Sequence, residues 1–492
     1  MKKSIALLSL LVAAGAGSRL HAQNEQDIVN YTWFQPSGSA RFLSMGGAFN
    51  ALGGDMTSIS YNPASTAVFL KNEISFSVGL QSMLSTNRYL DRATEDFSPR
   101  FNVGNFGIVS TIPVDETSNW RMVNLSYSYN RLRDFNFDQT FRGATNQYSL
   151  ADQFAADANG IPEGNLVDEL PLTSYLAYTT YLIDPDTVSP GNLYTTSFGT
   201  GEMEHQYRQS NTGRIGESVF SIGGNYTNKL YVGAGIGLTG IRHNTNYVYT
   251  ESDPSAGAPI TEFTYNYGIS TEGSGVNGKF GVIYRATQGL RLAFSYQTPT
   301  SYRMNQLFNA DMSTKYADQA SPYEARSDLF QMVYKTITPS RTGLGVAYIF
   351  GQKGLISVDV NIQDYNGARF KNVSNAGGDF NQYDLSSNNR LIQQYLTGVN
   401  QIKVGGEYKF GKLSLRGGYQ YQSNPIKTEF RNAETAMSTY SFGLGYAFKT
   451  FSIDAALSQT SFGNDYFFYQ AAQPATIDRS ILAASIGVVF RY

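Results

Sequence analysis

The sequence of 492 residues has no cysteine, two tryptophans and few charges. The absence of cysteine excludes disulfides, thiolate metal sites and cysteine catalysis. Charged residues make up 15% of the chain and the formal net charge is −2, which provides no basic field for nucleic acid. The mean hydropathy of −0.29, with a single N-terminal apolar run, excludes a helical membrane protein. What is abundant is glycine, tyrosine and phenylalanine (48, 35 and 31 residues), the composition of many short strands with tight turns.

Residues 1–22 are typical of a cleaved secretory signal peptide. Lys2 and Lys3 supply the positive start, and the apolar run 5–16 is too short to span a bilayer. Leu20-His21-Ala22 is an acceptable cleavage site. A buried core helix is the weaker alternative, because nothing apolar continues past Ala22. We therefore expect export, most simply by a bacterium.

Beyond about residue 73, apolar side chains recur with a period of two. Segment 413–422 alternates Leu, Leu, Gly, Tyr and Tyr with Ser, Arg, Gly, Gln and Gln, and segments 123–130, 440–448 and 482–492 behave in the same way. Successive side chains of a strand point to opposite faces, so each segment has one apolar and one polar face. A soluble sandwich would bury the apolar face, whereas a membrane barrel would turn it towards lipid.

Three features favour the barrel. The polar face is crowded with Gly, Ser, Asn and Gln, aromatic residues lie near strand ends, and the chain ends on a strand with Tyr492. We predict an all-β fold, a 14-stranded antiparallel transmembrane β-barrel over residues 71–492. Its strands should be 73–83, 97–111, 119–133, 215–226, 229–249, 261–285, 289–310, 329–349, 354–365, 396–410, 412–424, 437–449, 451–462 and 480–492. Short connections follow the even strands and longer ones the odd strands, up to an extracellular loop at 134–214, which is the pattern of bacterial barrels.

One tight turn predicts the register of two strands. Gly411-Lys412 suits a type II′ hairpin, because glycine tolerates the first central position of that turn. Glu407 then lies opposite Arg416 on the lumen face. A slip of one residue would place both charges in lipid.

Residues 23–70 do not alternate, and we expect them to form an N-terminal plug. Segment 40–55 mixes small and apolar residues with pairs of glycine, and segment 58–64 turns the chain. A barrel of about fourteen strands is wide enough to leak unless it is filled. The alternative is a loose periplasmic tail.

The plug sequence resembles that of the FadL family of outer-membrane transporters for long-chain fatty acids and other hydrophobic compounds. The residues that carry the resemblance are Ser39-Ala40-Arg41, Met45-Gly46-Gly47-Ala48 and Asn62-Pro63-Ala64. The resemblance implies an N-terminal hatch inside a 14-stranded barrel, with Gly46, Gly47, Asn62, Pro63 and Ala64 as hatch or gating residues. It covers the hatch in motif and the rest of the chain in architecture, and Ser65 stands where the family often has glycine.

The family also implies a transport route. Ligand is captured at extracellular loops, passed to a pocket near the hatch and released sideways through a gap associated with a kink near the third strand. The third predicted strand, 119–133, contains neither Gly nor Pro. Gly104 and Gly107 in the second strand are equally good candidates for a bend.

The remaining sequence patterns are weak evidence for a cofactor, catalytic or metal site. The run Gly235–Gly240 matches a dinucleotide fingerprint but lies inside an alternating segment, so lumen-facing glycines explain it better. His205 and His243 show no triad spacing, and if hydrolysis were found His243 would be the residue to mutate. Residues 157–160 and 168–169 could offer oxygens to Ca²⁺, but no full ligand series follows. We expect no enzymatic activity, no cofactor and no metal.

Lumen cations are the candidate substrate-binding residues. Arg416 already has Glu407 opposite, whereas Lys403 faces uncharged Gln420 and Arg291 lies next to a periplasmic turn. An unpaired cation in a partly dry pocket would hold a fatty-acid head group by a charge-assisted hydrogen bond. Ordinary solvation of the lumen is the alternative reading of all three.

These observations predict a monomeric protein of the bacterial outer membrane, in contact with lipid and lipopolysaccharide, that takes up hydrophobic molecules such as fatty acids passively. One alternative is a barrel that docks or shuttles proteins for a secretion system through loop 134–214. Uptake predicts an apolar pocket that reaches the hatch, whereas docking predicts a closed lumen and an exposed apolar loop surface. A general porin is disfavoured by the plug.

Overall fold

The structure, a computed structural model, describes residues 25–115, 117–186, 191–199, 201–373, 385–430, 436–469 and 472–492. The predicted signal peptide, residues 1–22, lies outside them. The described chain forms one large antiparallel sheet that closes on itself, because the first strand pairs with both the second strand and the last. A closed sheet has no free edge, which is the condition for crossing a membrane with strands.

All fourteen predicted barrel strands are present. Their bounds are β1 Glu73–Tyr89, β2 Arg92–Pro113, β3 Trp120–Asp134, β4 Met203–Tyr226, β5 Leu230–Ser252, β6 Ile260–Arg285, β7 Leu290–Gln297 with Ser301–Tyr316, β8 Phe330–Ile337 with Arg341–Phe350, β9 Gly354–Asp364, β10 Gly398–Phe410, β11 Leu413–Gln422, β12 Met437–Ala447, β13 Phe451–Tyr466 and β14 Ala475–Arg491. Neighbours in this order pair antiparallel.

Helices and short strands accompany the fourteen barrel strands. The helices are α1 Glu25–Thr32, α2 Ala40–Ser44, α3 Leu150–Ala158, α4 Leu166–Glu169, α5 Ser174–Thr179 and α6 Ser386–Tyr395. Short strands are Phe137–Thr145 on β4, Tyr323–Arg326 on β7, Arg369–Asn372 on β8, and the pair Asp184–Pro185 and Tyr194–Thr195. None of the described helices has the length and apolar character needed to cross a bilayer.

The two faces of the strands differ as the periodicity predicts. Large apolar side chains on the outside are strongly exposed, for example Phe442 at 67% and Ile486 at 59%. The alternate positions, such as Ser441 and Ser485, point inward and are buried. So many exposed apolar residues in one belt are expected of a surface that contacts lipid. The run Gly235–Gly240 lies inside β5 and takes part in this alternation.

The register predicted from the Gly411 turn is confirmed. Gly411 has φ of 60°, Phe410 pairs with Leu413, and Glu407 pairs with Arg416. A positive φ is accessible to glycine without steric cost. The turn therefore determines which residues of β10 and β11 face the lumen.

One predicted connection is wrong. Residues 84–96 were expected to connect the first two strands, but β1 and β2 continue through them and meet at a turn of two residues, Leu90-Asp91. Leu90 takes a positive φ of 52° there. The apolar alternation fades beyond the lipid belt, although the backbone ladder continues, because strands above a membrane no longer need an apolar outer face. The predicted loop 134–214 likewise contains helices α3 to α5 and the outer end of β4.

The segment 25–70, called the N-terminal segment below, lies against the inward faces of the strands. It comprises α1, α2 and two 3₁₀ helices, Thr57–Ser60 and Pro63–Val68. Its side chains are largely buried, and it bonds to strands around the barrel, as in Gly46 N to Ser441 Oγ at 3.0 Å and Asn124 Nδ2 to Thr66 O at 2.8 Å.

Inward glycines of the barrel make room for this segment. A Cβ atom added at any of them would lie 3.0 Å or less from an atom of the N-terminal segment. These glycines are Gly104, Gly107, Gly223, Gly233, Gly281, Gly345, Gly405, Gly418 and Gly443. The glycine-rich lumen face thus follows from the close approach of another piece of backbone.

Candidate functional site

The Asn62-Pro63-Ala64 turn is built from local hydrogen bonds. Asn62 caps the 3₁₀ helix Pro63–Val68, where its Oδ1 accepts from Ala64 N at 3.0 Å, and its Nδ2 donates to Asn50 O at 2.9 Å. Proline suits the first helical position because no amide hydrogen is needed there. Asn62 is fully buried, so both functions of its side-chain amide are satisfied inside the barrel.

A row of glycines on three neighbouring strands holds this turn. Gly223, Gly233 and Gly281 are register partners on β4, β5 and β6. A Cβ at Gly233 would lie 2.3 Å from Pro63 O, and one at Gly281 would lie 1.8 Å from Asn62 Oδ1. The row therefore fixes the position of the turn by shape alone.

Gly46 forms a second close contact with the wall, and Gly47 beside it packs against the Phe42 ring of the N-terminal segment itself. Their φ angles are 61° and 71°, in the left-handed region that favours glycine. A Cβ at Gly418 on β11 would lie 2.2 Å from Gly46 N. Substitution on either side would force the two backbones apart.

The three predicted substrate cations are engaged with the protein. Arg416 contacts Glu407 and Asp454, each at 2.6 Å, and Arg291 Nη1 donates to Leu52 O at 2.8 Å. Arg291 lies against the N-terminal segment and Arg416 belongs to an ion-pair network, so both residues have a structural role.

The expectation that Lys403 lacks a charged neighbour is wrong. Gln420 is its partner on β11, as predicted, but on β9 its partner is the buried Asp359. Lys403 Nζ also lies 4.1 Å from the ring centroid of Tyr61. The hairpin turn determines the register on one side only, and the long connection before β10 concealed the other neighbour.

The sequence reading missed Arg341, which lines a cavity in the lumen. Arg341 Nη2 donates to Ser60 O at 2.9 Å and to Gln297 Oε1 at 2.7 Å, and its guanidinium stands 4.5 Å over the ring of Tyr61. Within the described ranges, no carboxylate lies within ion-pair distance of Arg341. Arg341 could have been found from the sequence. It lies an even number of residues from Gly343 and Gly345 in β8 and therefore faces the lumen as they do.

This cavity combines apolar and polar walls. Phe34, Leu132 and Tyr302 face Arg341, Glu217 and several neutral polar groups across it. Its volume is about 10 Å³, which is room for about a single water molecule. A hydrophobic ligand can therefore enter only if part of the lining, such as Phe34, moves.

The outer half of the barrel is filled by one large hydrophobic cluster. Ile28, Tyr31 and Trp33 from α1 and the residues after it are buried there. Helices α3 to α5 contribute Leu150, Phe154, Leu166 and Leu176. Strands and α6 add Ile215, Tyr265, Phe308, Phe370 and Ile392. The helices of the predicted extracellular loop thus turn their apolar faces into the barrel.

The barrel wall is irregular where β2 meets β3. Their ladder ends at the pair Asn105 and Asn130, although β2 continues to Arg92. Just beyond this point β3 carries a bulge between Arg131 and Arg133, opposite Gly216 and Ile215. A bulge needs one extra residue and no glycine, so a search of this strand for Gly or Pro could not find the break.

The bulge turns Arg133 towards the lumen. Arg133 Nη1 donates to the carbonyl oxygens of Val29, Asn30 and Trp33 at 3.3, 2.6 and 3.2 Å. The last carbonyls of a helix lack intrahelical partners, and a cation near them is favourable. Arg133 therefore ties the end of α1 to the irregular part of the wall.

The two candidate glycines of β2 have different surroundings. Gly104 is skipped in the β1–β2 register, and a Cβ there would lie 2.7 Å from Gly38 O. A Cβ at Gly107 would meet the Met56 side chain at 2.7 Å. The irregularity of β2 thus falls at Gly104, level with the end of its ladder to β3.

His205 is buried, His243 is largely buried, and the two lie apart. His243 stacks on Phe135 at 4.0 Å between centroids, and burial lowers the pKa of His205 to about 4. His205 Nε2 lies 3.6 Å from Glu251 Oε2. Across the part of the chain that the structure describes, no three His, Asp or Glu residues are grouped as metal ligands.

Comparison with solved structures identifies the fold. The toluene transporter TodX of Pseudomonas putida matches with a TM-score of 0.52 and 15% identity over 93% of this chain and 99% of that chain. A Pseudomonas aeruginosa FadL homologue gives 0.54 and 11% over 93% and 99%, and the Ralstonia pickettii toluene transporter TbuX gives 0.52 and 14% over 93% and 98%. These neighbours are transporters and not enzymes.

Sequence comparison gives no match: no family model and no curated protein matches the chain. Identities of 11–15% leave little beyond architecture to compare. The resemblance first noted at the Asn62-Pro63-Ala64 motif nevertheless agrees with the structural neighbours. The chain has the barrel fold of the FadL-like transporters.

Proposed function

We propose that this protein is an outer-membrane channel for passive uptake of hydrophobic small molecules. The proposal rests on one observation, which is the path that apolar contacts follow through the barrel. The hydrophobic cluster of the outer half leads to the cavity at Phe34 and Leu132, and Leu132 belongs to the bulge where the β2–β3 ladder has ended. A ligand that follows this course travels from the long loops to the wall without crossing the whole lumen.

Residues 23–70 are the hatch of this channel, and residues 1–22 are a signal peptide removed on export. Gly46 and the Asn62-Pro63-Ala64 turn hold the hatch against the wall through close backbone contacts, and Gly47 supplies the left-handed backbone next to Gly46. The barrel stands as a monomer in the bacterial outer membrane, with its apolar belt against lipid and lipopolysaccharide. The short turns then face the periplasm.

Release is sideways, through the irregular wall between β2 and β3. Movement of Phe34 enlarges the cavity, and movement of α1 away from Arg133 frees the bulge of β3. Burial of a ligand contributes about 0.8 kcal/mol per CH₂. Uptake is passive in this proposal, so net flux follows the gradient.

The ligand is a hydrocarbon or a fatty acid. Two of the structural neighbours are named as toluene transporters, which supports a hydrocarbon. Arg341 has no described carboxylate partner, which supports a ligand with an acidic head group. The charge-assisted bond from Arg341 would be realised only by an acid.

Uptake by cells tests this proposal. A strain that lacks the gene, complemented with the wild-type chain, should accumulate radiolabelled toluene or oleate faster than the uncomplemented strain. If the ligand is a fatty acid, Arg341→Gln should reduce oleate uptake and leave toluene uptake unchanged, and Arg326→Gln, at an exposed strand end, should change neither. Equal uptake with and without the chain, for both compounds, would exclude transport of them.

Protein docking for a secretion system is the competing function. It predicts a closed lumen, and the narrow cavity agrees with that prediction. It also predicts an exposed apolar loop surface. Leu166 and Leu176 of the loop helices are fully buried, whereas Tyr148, Val167, Tyr181 and Leu193 of the same loop are 38–51% exposed and offer a docking partner only scattered apolar contacts. Conductance in planar bilayers separates both functions from a general porin, which would be open without ligand.

A further inference from the structure

A groove lies on the outer face of the barrel between β9 and β12. Its volume is about 480 Å³, and its walls are Phe350, Ile356, Tyr408, Leu415 and Phe442. This volume is in the range of ordinary ligand pockets, about 300–1,000 Å³. The β10–β11 ladder is unbroken beneath it, so the groove is a depression in the surface and not a hole in the wall.

Two outward glycines create the groove. Gly406 and Gly417 are register partners, with Ile356 on one side and Phe442 on the other. A Cβ at Gly406 would meet nothing closer than 3.6 Å, and one at Gly417 nothing closer than 3.9 Å. Neither residue has a positive φ. Their inward neighbours Gly405 and Gly418 are tightly occupied by Met45, so the outward pair is not needed for contact with the N-terminal segment.

The groove opens towards a rim of lysines. Lys353, Lys412 and Lys449 lie in the three short turns next to it, and all are exposed. Lys409 follows the groove residue Tyr408, and its amide donates to Lys353 O at 2.7 Å, which places these two residues side by side. The turns themselves, residues 351–353, 411–412 and 448–450, contain no acidic residue.

We propose that this groove binds an anionic phospholipid of the periplasmic leaflet. One acyl chain lies over Gly406 and Gly417, and the phosphate lies among Lys353, Lys412 and Lys449. This inference rests on the membrane placement given under Proposed function. Lipid tails are as apolar as the groove, so shape selects the chain while the lysines select the charge of the headgroup.

Native mass spectrometry of the mature chain in detergent tests the site. We expect adducts of phosphatidylglycerol to exceed those of phosphatidylethanolamine about tenfold, because each lysine near an anionic headgroup adds to the affinity. Lys353→Gln with Lys412→Gln should remove this preference. The matched control is Lys229→Gln, in the turn between β4 and β5, with Arg285→Gln, at the end of β6, both away from the groove, which should preserve it.

Filling the groove tests the acyl-chain part. Gly406→Leu with Gly417→Leu should reduce phosphatidylglycerol adducts about tenfold, since the side chains occupy the space of the lipid tail. Should this variant fail to fold, wild-type thermal unfolding decides, because phosphatidylglycerol should raise the midpoint and phosphatidylcholine should not. Equal binding of both phospholipids by the wild type would overturn the proposal.

Hydrocarbon and oleate uptake is measured on the same variants. If uptake is absent while the phosphatidylglycerol preference persists, the proposed transport fails and the lipid site stands. If uptake is present while the wild type shows no preference, the lipid site fails and transport stands.

Discussion

Arg133 Nη1 donates a hydrogen bond to the carbonyl oxygen of Asn30 at 2.6 Å, and this contact joins the end of α1 to the bulge of β3. The same nitrogen also reaches Val29 O and Trp33 O. The contact connects the part of the N-terminal segment that fills the outer lumen with the part of the wall where the β2–β3 ladder has ended. Movement of one is therefore expected to alter the other.

We expect Arg133→Leu to loosen α1. Hydrogen bonds to a charged group contribute about 1.5–3 kcal/mol, so amide exchange in residues 28–33 should accelerate by about tenfold or more. Hydrogen-exchange mass spectrometry of the detergent-solubilised chain measures this. Arg121→Leu, at the exposed opposite end of β3, is the control. Equal exchange in both variants would contradict a role for Arg133 in holding α1.

Gly233→Val should displace the Asn62-Pro63-Ala64 turn. The new side chain would begin 2.3 Å from Pro63 O, and such overpacking costs about 1–3 kcal/mol. The expected result is ion conductance in planar bilayers that the wild type does not show. Gly240→Val on the same strand is the control, since a Cβ there has nothing within 4 Å. A closed Gly233→Val barrel would mean that the turn does not close the lumen.

The stability of helix α3 and the strand end beneath it, called the cap below, should depend on pH through Glu251. This carboxyl lies beyond the apolar belt, accepts from Ser149 Oγ at 2.6 Å and from Leu150 N at 3.1 Å, and so caps α3. Burial raises its pKa from 4.5 to about 7, Asp152 adds to the rise, and His205 nearby stays neutral. The folded cap thus favours the protonated acid, and its stability falls as the pH rises from about 4.5 through about 7.

The expected loss of stability between pH 5 and pH 8 is at most about 3 kcal/mol. It should appear as faster exchange of the α3 amides at pH 8, after correction for intrinsic exchange. Glu251→Gln should remove the dependence, because its amide does not titrate. Glu204→Gln, an exposed neighbour on β4, should leave the dependence unchanged. A pH-independent α3 in the wild type would contradict the raised pKa.

Arg416→Gln should destabilise the barrel strongly. Arg416 bonds to Glu407 and Asp454 at 2.6 Å, and all three side chains are at most 6% exposed. Removing one partner of such a buried network costs about 3–5 kcal/mol. Asp454 loses its contact with Arg416, and Glu407 keeps only the longer contacts with Arg41 and Lys409, at 3.4 and 3.6 Å. The thermal unfolding midpoint in detergent, followed by circular dichroism, should fall clearly.

Arg88→Gln is the matched control for this network. Its pair with Asp478 is more than half exposed on both sides, and such pairs contribute about 0–1 kcal/mol. Its midpoint should stay close to that of the wild type. Similar midpoints for the two variants would contradict the structural part given to Arg416.

The sequence predicted the strands best where the membrane constrains them. The alternation of apolar and polar residues and the Gly411 turn gave the register of β10 and β11 correctly. The prediction failed above the lipid belt, where β1 and β2 continue to Leu90-Asp91 with little apolar alternation. It also failed for Lys403, because its pairing with Asp359 joins strands that are not linked by a tight turn.

The candidate site shows the same division. The Asn62-Pro63-Ala64 turn could be singled out from its residues, since proline and a capping asparagine act locally. Arg133 could not, because only the bulge of β3 brings its side chain into the lumen. The cavity at Arg341 likewise needs Phe34, Leu132 and Ser60, which are far apart in the chain.

The sequence by itself determined that this chain forms a barrel of fourteen strands, because the period of two and the sorting of connection lengths are local properties of a strand and its turns. Only the tertiary structure decided where the N-terminal segment lies, which glycines face it and which face the outside, and where the wall is irregular. These features depend on contacts between residues hundreds of positions apart, such as Gly46 with Gly418. The alternation of residues in a strand shows which of its faces is apolar, but it does not show what packs against the polar face.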